Sequence, residues 1–473
     1  MNSDRSPTDG EYYAYRLGVA LLILLTVTIV TAQVWAGWSG AKQVDSLQHD
    51  NLLIIGDLSA KYAIASSRSN DNRDAAAVMA NNFYSNVPPS PATYRRMGLL
   101  TQVMWGISGL EWIKKIDSPE VTRGLGRDVV KKLRTEKQMW LHIYGQDSLS
   151  PEQAHRYIKQ IEQLDLGPFK RITESDVYRR AGLGQLADQR LRQAIVAAKI
   201  NIAALIAIVV VLLVGGLGGL VILFIFLNAW IPKFARAQRH DVSPSVALPA
   251  FLVYSALYFG IGAVASIIVG TRFDLDQNDV FYMLTLIGSA LLSGAIGLTF
   301  LRDRSCEVGW NWRSIGFRTD SILTDVMRGT AGYLAALPVV IVAIDMSQHL
   351  SRSIFKHFPT PEQPFGEIIS GGGAAQIALV FLAASVVAPI VEETFYRGVL
   401  YSAFRSRMGV WGSAVICSAL FAVIHPLPGG LLPIFALAMV LAVLRERAGS
   451  LLPCIVCHCL YNTTGLLVNM LLS

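Results

Sequence analysis

Repeated apolar runs long enough to cross a lipid bilayer constrain this chain more than any other feature. A helix needs about 20 residues to span the hydrocarbon core, and within it every backbone polar group must be bonded internally. One such run extends from about Leu17 to Trp38, and the strongest from about Ile195 to Leu227. Further runs lie near 249–270, 280–301, 327–346, 374–400, 410–425, 429–444 and 450–472. The predicted fold class is all-α: a polytopic transmembrane helix bundle of about nine spans, with a mostly helical extracytoplasmic domain inserted after the first span. Composition agrees. Only 16% of the 473 residues are charged and 52% are hydrophobic, whereas a soluble protein carries about a quarter charged residues. The net charge of +7 suits basic cytoplasmic loops. No basic run with interleaved aromatics is present, so no nucleic-acid partner is expected.

The pattern divides the chain into a cytoplasmic N-terminus (1–16), a membrane anchor helix (17–38), a helical extracytoplasmic domain (39–195), transmembrane helices (196–324) and a C-terminal core (325–473). The first apolar stretch is longer than a signal-peptide core, and no small-x-small cleavage site follows, so it is read as an uncleaved anchor. In the polar stretch, Asp128–Leu141 has apolar residues at helical spacing. The segment from Pro151 to Leu164 opens with Ser150 as N-cap and proline at the first helical position, where a missing N–H costs nothing. Breaks are expected at Asn86-Val-Pro-Pro-Ser-Pro and Gly145-Gln-Asp. The five cysteines, Cys306, Cys417, Cys454, Cys457 and Cys459, all lie outside 39–195, which excludes a disulfide-stapled module there.

Loop charges give an orientation. Lys233, Arg236 and Arg239, then Arg302, Arg304, Arg313 and Arg318, then Arg405 and Arg407, then Arg445 and Arg447 all fall on one side if the N-terminus is cytoplasmic. The loop Thr271–Asp279, on the other side, has one arginine and three aspartates. The expected location is the plasma membrane, with residues 39–195 facing outward.

Charges kept inside apolar spans cost about 2.5–3.5 kcal/mol each and mark function. One span holds Glu392, Glu393 and Arg397. Glu393 and Arg397 are four apart and share a helical face, while Glu392 points about 100° away and is left to handle protons. His425 ends the next span, with Phe421 one turn before it. The last span places His458 and Asn462 four apart on one face. Each segment also has a bland account: an ion pair at the membrane edge, a histidine at a helix end, and interhelical hydrogen bonds. Cys454-Ile-Val-Cys457-His458 spells a haem-attachment motif, but it lies inside an apolar span. The cysteines spread around that helix, which disfavours a zinc knuckle and suits packing.

Taken together, Glu392-Glu393-Thr-Phe-Tyr-Arg397, Phe421-Ala-Val-Ile-His425 and His458-Cys-Leu-Tyr-Asn462 resemble the motifs of the CAAX protease and bacteriocin-processing (CPBP or Abi) family of intramembrane glutamic or metallo-type peptidases. The resemblance covers roughly residues 325–473 and leaves 39–195 untouched. It implies an endopeptidase that hydrolyses a peptide bond in a membrane-associated protein or peptide. Its implied roles are Glu392 taking a proton from water with help from His425, His458 and Asn462 stabilising the oxyanion, and Glu393 and Arg397 holding Glu392, with Phe421 in support. The resemblance requires no cofactor. Zinc stays open, and would need His425, His458 and the Glu392 carboxylate, although no His-Glu-x-x-His pair exists. The competing readings are a transporter or ion and proton pathway built on the same buried charges, and an inactive scaffold. Expected partners are the bilayer, a membrane-embedded or membrane-associated peptide, and an unidentified ligand for residues 39–195.

Overall fold

The computed structural model describes residues 9–40, 45–66, 70–123, 125–145, 148–229, 243–272, 280–305, 312–318, 320–353, 373–425 and 430–472. Lys233, Arg236, Arg239 and Cys306, most of the Thr271–Asp279 loop, Gln146-Asp147 and the Pro426–Gly429 turn lie outside the described residues. Among those described there are helices and turns and no strand. This is the all-α, polytopic membrane architecture that the apolar runs predict.

The chain divides into two compact units, one of residues Met1–Val44 and Val210–Met470, the other of Asp45–Val209 with the last three residues. The second unit is built mainly from α2 (Asp45–Ala65), α3 (Asn70–Ser85), α4 (Pro91–Trp105), α5 (Arg127–Ile143), α6 (Pro151–Glu162) and α7 (Lys170–Arg180). The chain breaks at 86–90, and Ser90 then caps α4 by accepting from the Thr93 N–H at 3.0 Å. Ser150 caps α6 in a reciprocal box: its hydroxyl accepts from the Gln153 N–H and the Gln153 side chain accepts from the Ser150 N–H. Each such cap stabilises a helix start by about 1 kcal/mol. Trp140, Tyr84, Phe169, Leu99 and Ile143 fill the core. Buried Arg96 ties α4 to α2 through Asp57 at 2.9 Å and to Asp165 at 2.8 Å, while the Tyr84 hydroxyl donates to Asp57 at 2.6 Å. Nothing local in the sequence marks this network.

The other unit contains α1 (Asp9–Gly40), the later part of α8 (Gly184–Ala229), α9 (Pro244–Arg272), α10 (Val280–Ser305), α11 (Ile322–Ser353), α12 (Ala374–Arg405), α13 (Val410–Val423), α14 (Leu431–Ala448) and α15 (Leu452–Leu472). Helices therefore stand where the nine runs predict them. Among the described residues, six are long and apolar enough to cross a membrane: α8 through α12, and α15. α13 has 14 residues, about 21 Å at 1.5 Å per residue, which is short of a hydrocarbon core of about 30 Å. Close helix approach is written into the glycine-rich part of α8. A Cβ on Gly219 would overlap the Leu334 carbonyl of α11, so only glycine allows this crossing.

One loop charge is placed differently from the sequence expectation. Arg445 is not in a solvated turn. α14 runs on to Ala448, where Gly449 ends it with φ 62°, and Arg445 inside the last turns is 2% exposed.

Candidate active site

α12 carries the two glutamates, and its backbone departs from a plain α-helix twice. Ala383–Val387 and Thr394–Leu400 are π-helical, with hydrogen bonds running i→i+5, and the α-helical Ala388–Glu393 lies between them. π turns are rare and concentrate at functional sites. The Ala384 carbonyl in the first of these turns accepts from the Asn462 side-chain N–H at 2.8 Å. The second turn contains Arg397.

Glu393 is fully buried, and its Oε1 is shared. Arg397 Nη1 donates to it at 2.7 Å, as the i,i+4 spacing predicts, and His458 Nδ1 lies at 2.9 Å. Arg397, 1% exposed, also donates to the Ala438 carbonyl of α14 at 3.2 Å and sits 4.6 Å over the Phe421 ring. The Glu393–Arg397 pair thus grips His458, where the resemblance implied that it would hold Glu392. With Nδ1 held by the Glu393 carboxylate, Nε2 is the ring nitrogen turned away from Glu393. That nitrogen faces Glu392 Oε2 at 3.9 Å. The gap exceeds a direct hydrogen bond, and a water bonded to both atoms would sit beside the line that joins them. Glu392 is 13% exposed, less sealed than Glu393.

Phe421 is the hub of the remaining contacts. Its ring lies 5.0 Å from Tyr396, 5.8 Å from His458 and 4.9 Å from His425. His425 follows the end of α13, and its Nδ1 meets the Phe421 carbonyl at 2.7 Å, so Nε2 is the ring nitrogen that points away from this helix end's backbone. Glu392, Glu393, Arg397, His458 and Phe421 form one connected cluster. Asn462 joins it through the helix it shares with His458, and His425 through the Phe421 ring. Among the described residues no polar contact links His425 to either glutamate or to His458.

Among the described residues the donor set is not gathered as a zinc site requires. Among the described residues no three His, Cys, Asp or Glu side chains are gathered so as to hold a metal ion, and His425, His458 and Glu392 do not converge. Cys454 and Cys457 are buried thiols, and Cys454 donates to the Leu441 carbonyl at 3.3 Å, as packing residues would.

Two parts of the site escape a reading by motif. Tyr254 of α9 stacks flat on Phe395, with centroids 3.8 Å apart and planes 7° from parallel, and Phe251 meets Tyr396 edge-on at 5.1 Å. Tyr254, Tyr258 and Tyr396 all lie within electrostatic reach of Glu392. α9 therefore packs against the part of α12 that carries Phe395 and Tyr396. The other part is the set of contacts from α14, whose only sequence signal is charge at the end of an apolar run.

Residues 374–464 match a family model described as type II CAAX prenyl endopeptidase, Rce1-like. The chain is also similar to an "Uncharacterized 24.3 kDa protein" of Escherichia coli, 30% identical over 145 residues, which are 29% of this chain and 64% of that relative. No solved structure matches the chain. The matched segment contains all three motifs and every side chain of the Glu392–Glu393–Arg397–Phe421–His425–His458–Asn462 set, so over residues 374–464 this multi-pass membrane chain is similar to the Rce1-like type II CAAX prenyl endopeptidases, consistent with the CAAX protease and bacteriocin-processing family.

Proposed function

We propose that the chain is an intramembrane endopeptidase that cleaves a membrane-associated protein or peptide with a water held between Glu392 and His458. The observation that carries this is the placement of His458, with Nδ1 fixed by Glu393 at 2.9 Å and Nε2 turned to Glu392 at 3.9 Å. The order carboxylate, imidazole, water is how a side chain fixes a ring's tautomer and aims its other nitrogen.

In the proposed reaction Glu392 takes one proton from the water, and the hydroxide oxygen bonds to the scissile carbonyl carbon. The C–N bond of the resulting tetrahedral species then breaks as Glu392 returns that proton to the departing nitrogen. Asn462 has two side-chain N–H groups, of which one goes to Ala384. The other is proposed to meet the developing oxyanion, where one preorganised donor contributes about 3–4 kcal/mol. His425 is proposed to assist proton transfer with its Nε2. The N-terminus is proposed to be cytoplasmic in the plasma membrane, which places the helical domain of residues 39–195 outside the cytoplasm, where it is proposed to present or select the substrate.

Glu392→Gln tests the chemistry. New protein N-termini are labelled and sequenced in membranes containing the wild type or this variant. Cleavages present with the wild type and absent with the variant are expected. Identical N-termini from both would end the peptidase assignment. Enzymatic reporters fused after residues 44 and 183 test the orientation.

A further inference from the structure

α14 carries none of the motif residues, yet it grips the second π turn of α12 repeatedly. Arg397 Nη2 donates to the Ala438 carbonyl at 3.2 Å. Seven residues on, or about 10.5 Å along the helix, Arg445 Nε donates back to the Arg397 carbonyl at 3.2 Å. In the next position Glu446 accepts from the Tyr401 hydroxyl at 2.7 Å and from Arg405 at 3.2 Å. The Arg397 carbonyl lies in a turn where backbone bonding is i→i+5, closed by Tyr401 N–H to Tyr396 O.

The surroundings are shaped around the Arg445 guanidinium. Gly316 holds φ +100°, and a Cβ there would stand 2.8 Å from Arg445 Cζ. The Gly316 carbonyl accepts from the Leu451 N–H at 2.9 Å, so the turn that covers Arg445 is pinned to the start of α15. On the same turn the Ile315 carbonyl faces Gly398, where a Cβ would come to 3.0 Å. A cation buried this deeply costs several kcal/mol in desolvation unless its donors are used. An arginine serving only to fill volume would be replaced by an apolar side chain at lower cost.

We propose that Arg445 is a positioning residue of the peptidase site. Its Nε–H holds the Arg397 carbonyl and thereby fixes the turn from which Arg397 reaches Glu393 and, through Glu393, sets His458. The proposal rests on the peptidase assignment above.

The test uses the full-length chain in membranes and reads only those new N-termini that depend on Glu392. In Arg445→Gln the amide Nε2 stands as many bonds from the backbone as Arg445 Nε does, so the donor stays and the charge goes. Arg445→Met keeps the reach and loses the donor. The Gln variant is expected to cleave within about tenfold of wild type, and the Met variant more than about tenfold below Gln, the scale of one lost hydrogen bond in a dry site. A Met variant as fast as Gln, or a folded Gln variant as slow as Met, overturns the role of the donor. If Met fails to accumulate, the Gln variant decides alone, since a loss beyond tenfold overturns the proposal. If wild type and Glu392→Gln yield the same N-termini, the peptidase assignment itself fails. Separate loss of the two claims is thus distinguishable.

Discussion

Arg397→Met offers the sharpest measure of how the buried charges work together. Methionine keeps an unbranched side chain and deletes the cation. Glu393 would then be a fully buried carboxylate with only His458 Nδ1 at 2.9 Å, because its Oε2 already has no partner. Breaking a buried ion pair from one side costs about 3–5 kcal/mol. The bond to the Ala438 carbonyl and the contact over Phe421 are each worth about 1 kcal/mol. Because all three belong to one side chain they do not simply add, so a loss of about 3–5 kcal/mol is expected. That is a large part of a total stability of about 5–15 kcal/mol. Adding Glu393→Gln removes the stranded charge, and the double variant is expected to regain about 2–3 kcal/mol while staying inactive, since His458 then has an amide in place of its carboxylate. Amide hydrogen exchange over 388–405 and 452–464 in detergent-solubilised protein reports the stability of this region alone, and Glu392-dependent cleavage reports activity. An Arg397→Met protein within about 1 kcal/mol of wild type, or a double variant no more protected than the single, would refute the account.

Gly316→Ala is expected to destabilise the membrane unit by about 1–3 kcal/mol, because φ +100° disfavours a side chain and the new Cβ meets the Arg445 guanidinium; its cleavage rate should fall toward that of Arg445→Met. Asn462→Ala leaves the Ala384 carbonyl without its donor and should slow cleavage by about 10²–10³ if the second N–H serves the oxyanion, measured on the same N-termini. Glu174 in the second unit is 5% exposed, and burial raises its carboxyl above the ordinary carboxylate value although Arg190 lies 3.3 Å away. A raised carboxyl is favoured in its protonated form by the fold, so stability is full below the unfolded value of about 4.3 and falls as pH rises through the folded one. Glu174→Gln should therefore protect residues 170–180 more than wild type at pH 7, with the difference fading below about pH 4; greater protection at acid pH alone would contradict this.

Local spacing made part of this molecule readable. Glu393 and Arg397 are one turn apart, and they bond at 2.7 Å as that spacing dictates. Ser150 followed by Pro151 announces a helix start, and one is found there. His458 and Asn462 share a face by the same arithmetic, but their partners are 65 and 78 residues away in sequence. No periodicity names those partners, which is why the pair that holds His458 was assigned to Glu392. Arg445 was misplaced because a charge following an apolar run looks the same whether the helix stops before it or carries it inward. The π turns are not legible in the sequence because Thr394–Leu400 contains nothing that excludes an ordinary α-helix, and the contact from Arg445 to the Arg397 carbonyl comes from a residue 48 positions away.

A wide turn holds one residue more than an α-helical turn would need. Deleting a single residue from 394–400 would let the segment relax to ordinary winding with its two ends nearly in phase, because the extra residue is what the wider turn absorbs. Tyr401 and Arg405 would keep their heading toward Glu446 while the carbonyls of the turn closed into an ordinary i→i+4 ladder. A lost codon here would therefore spare the contacts at the two ends of the helix and cost only the turn between them, whereas the same loss in the α-helical stretch Ala388–Glu393 would rotate everything downstream by about 100°.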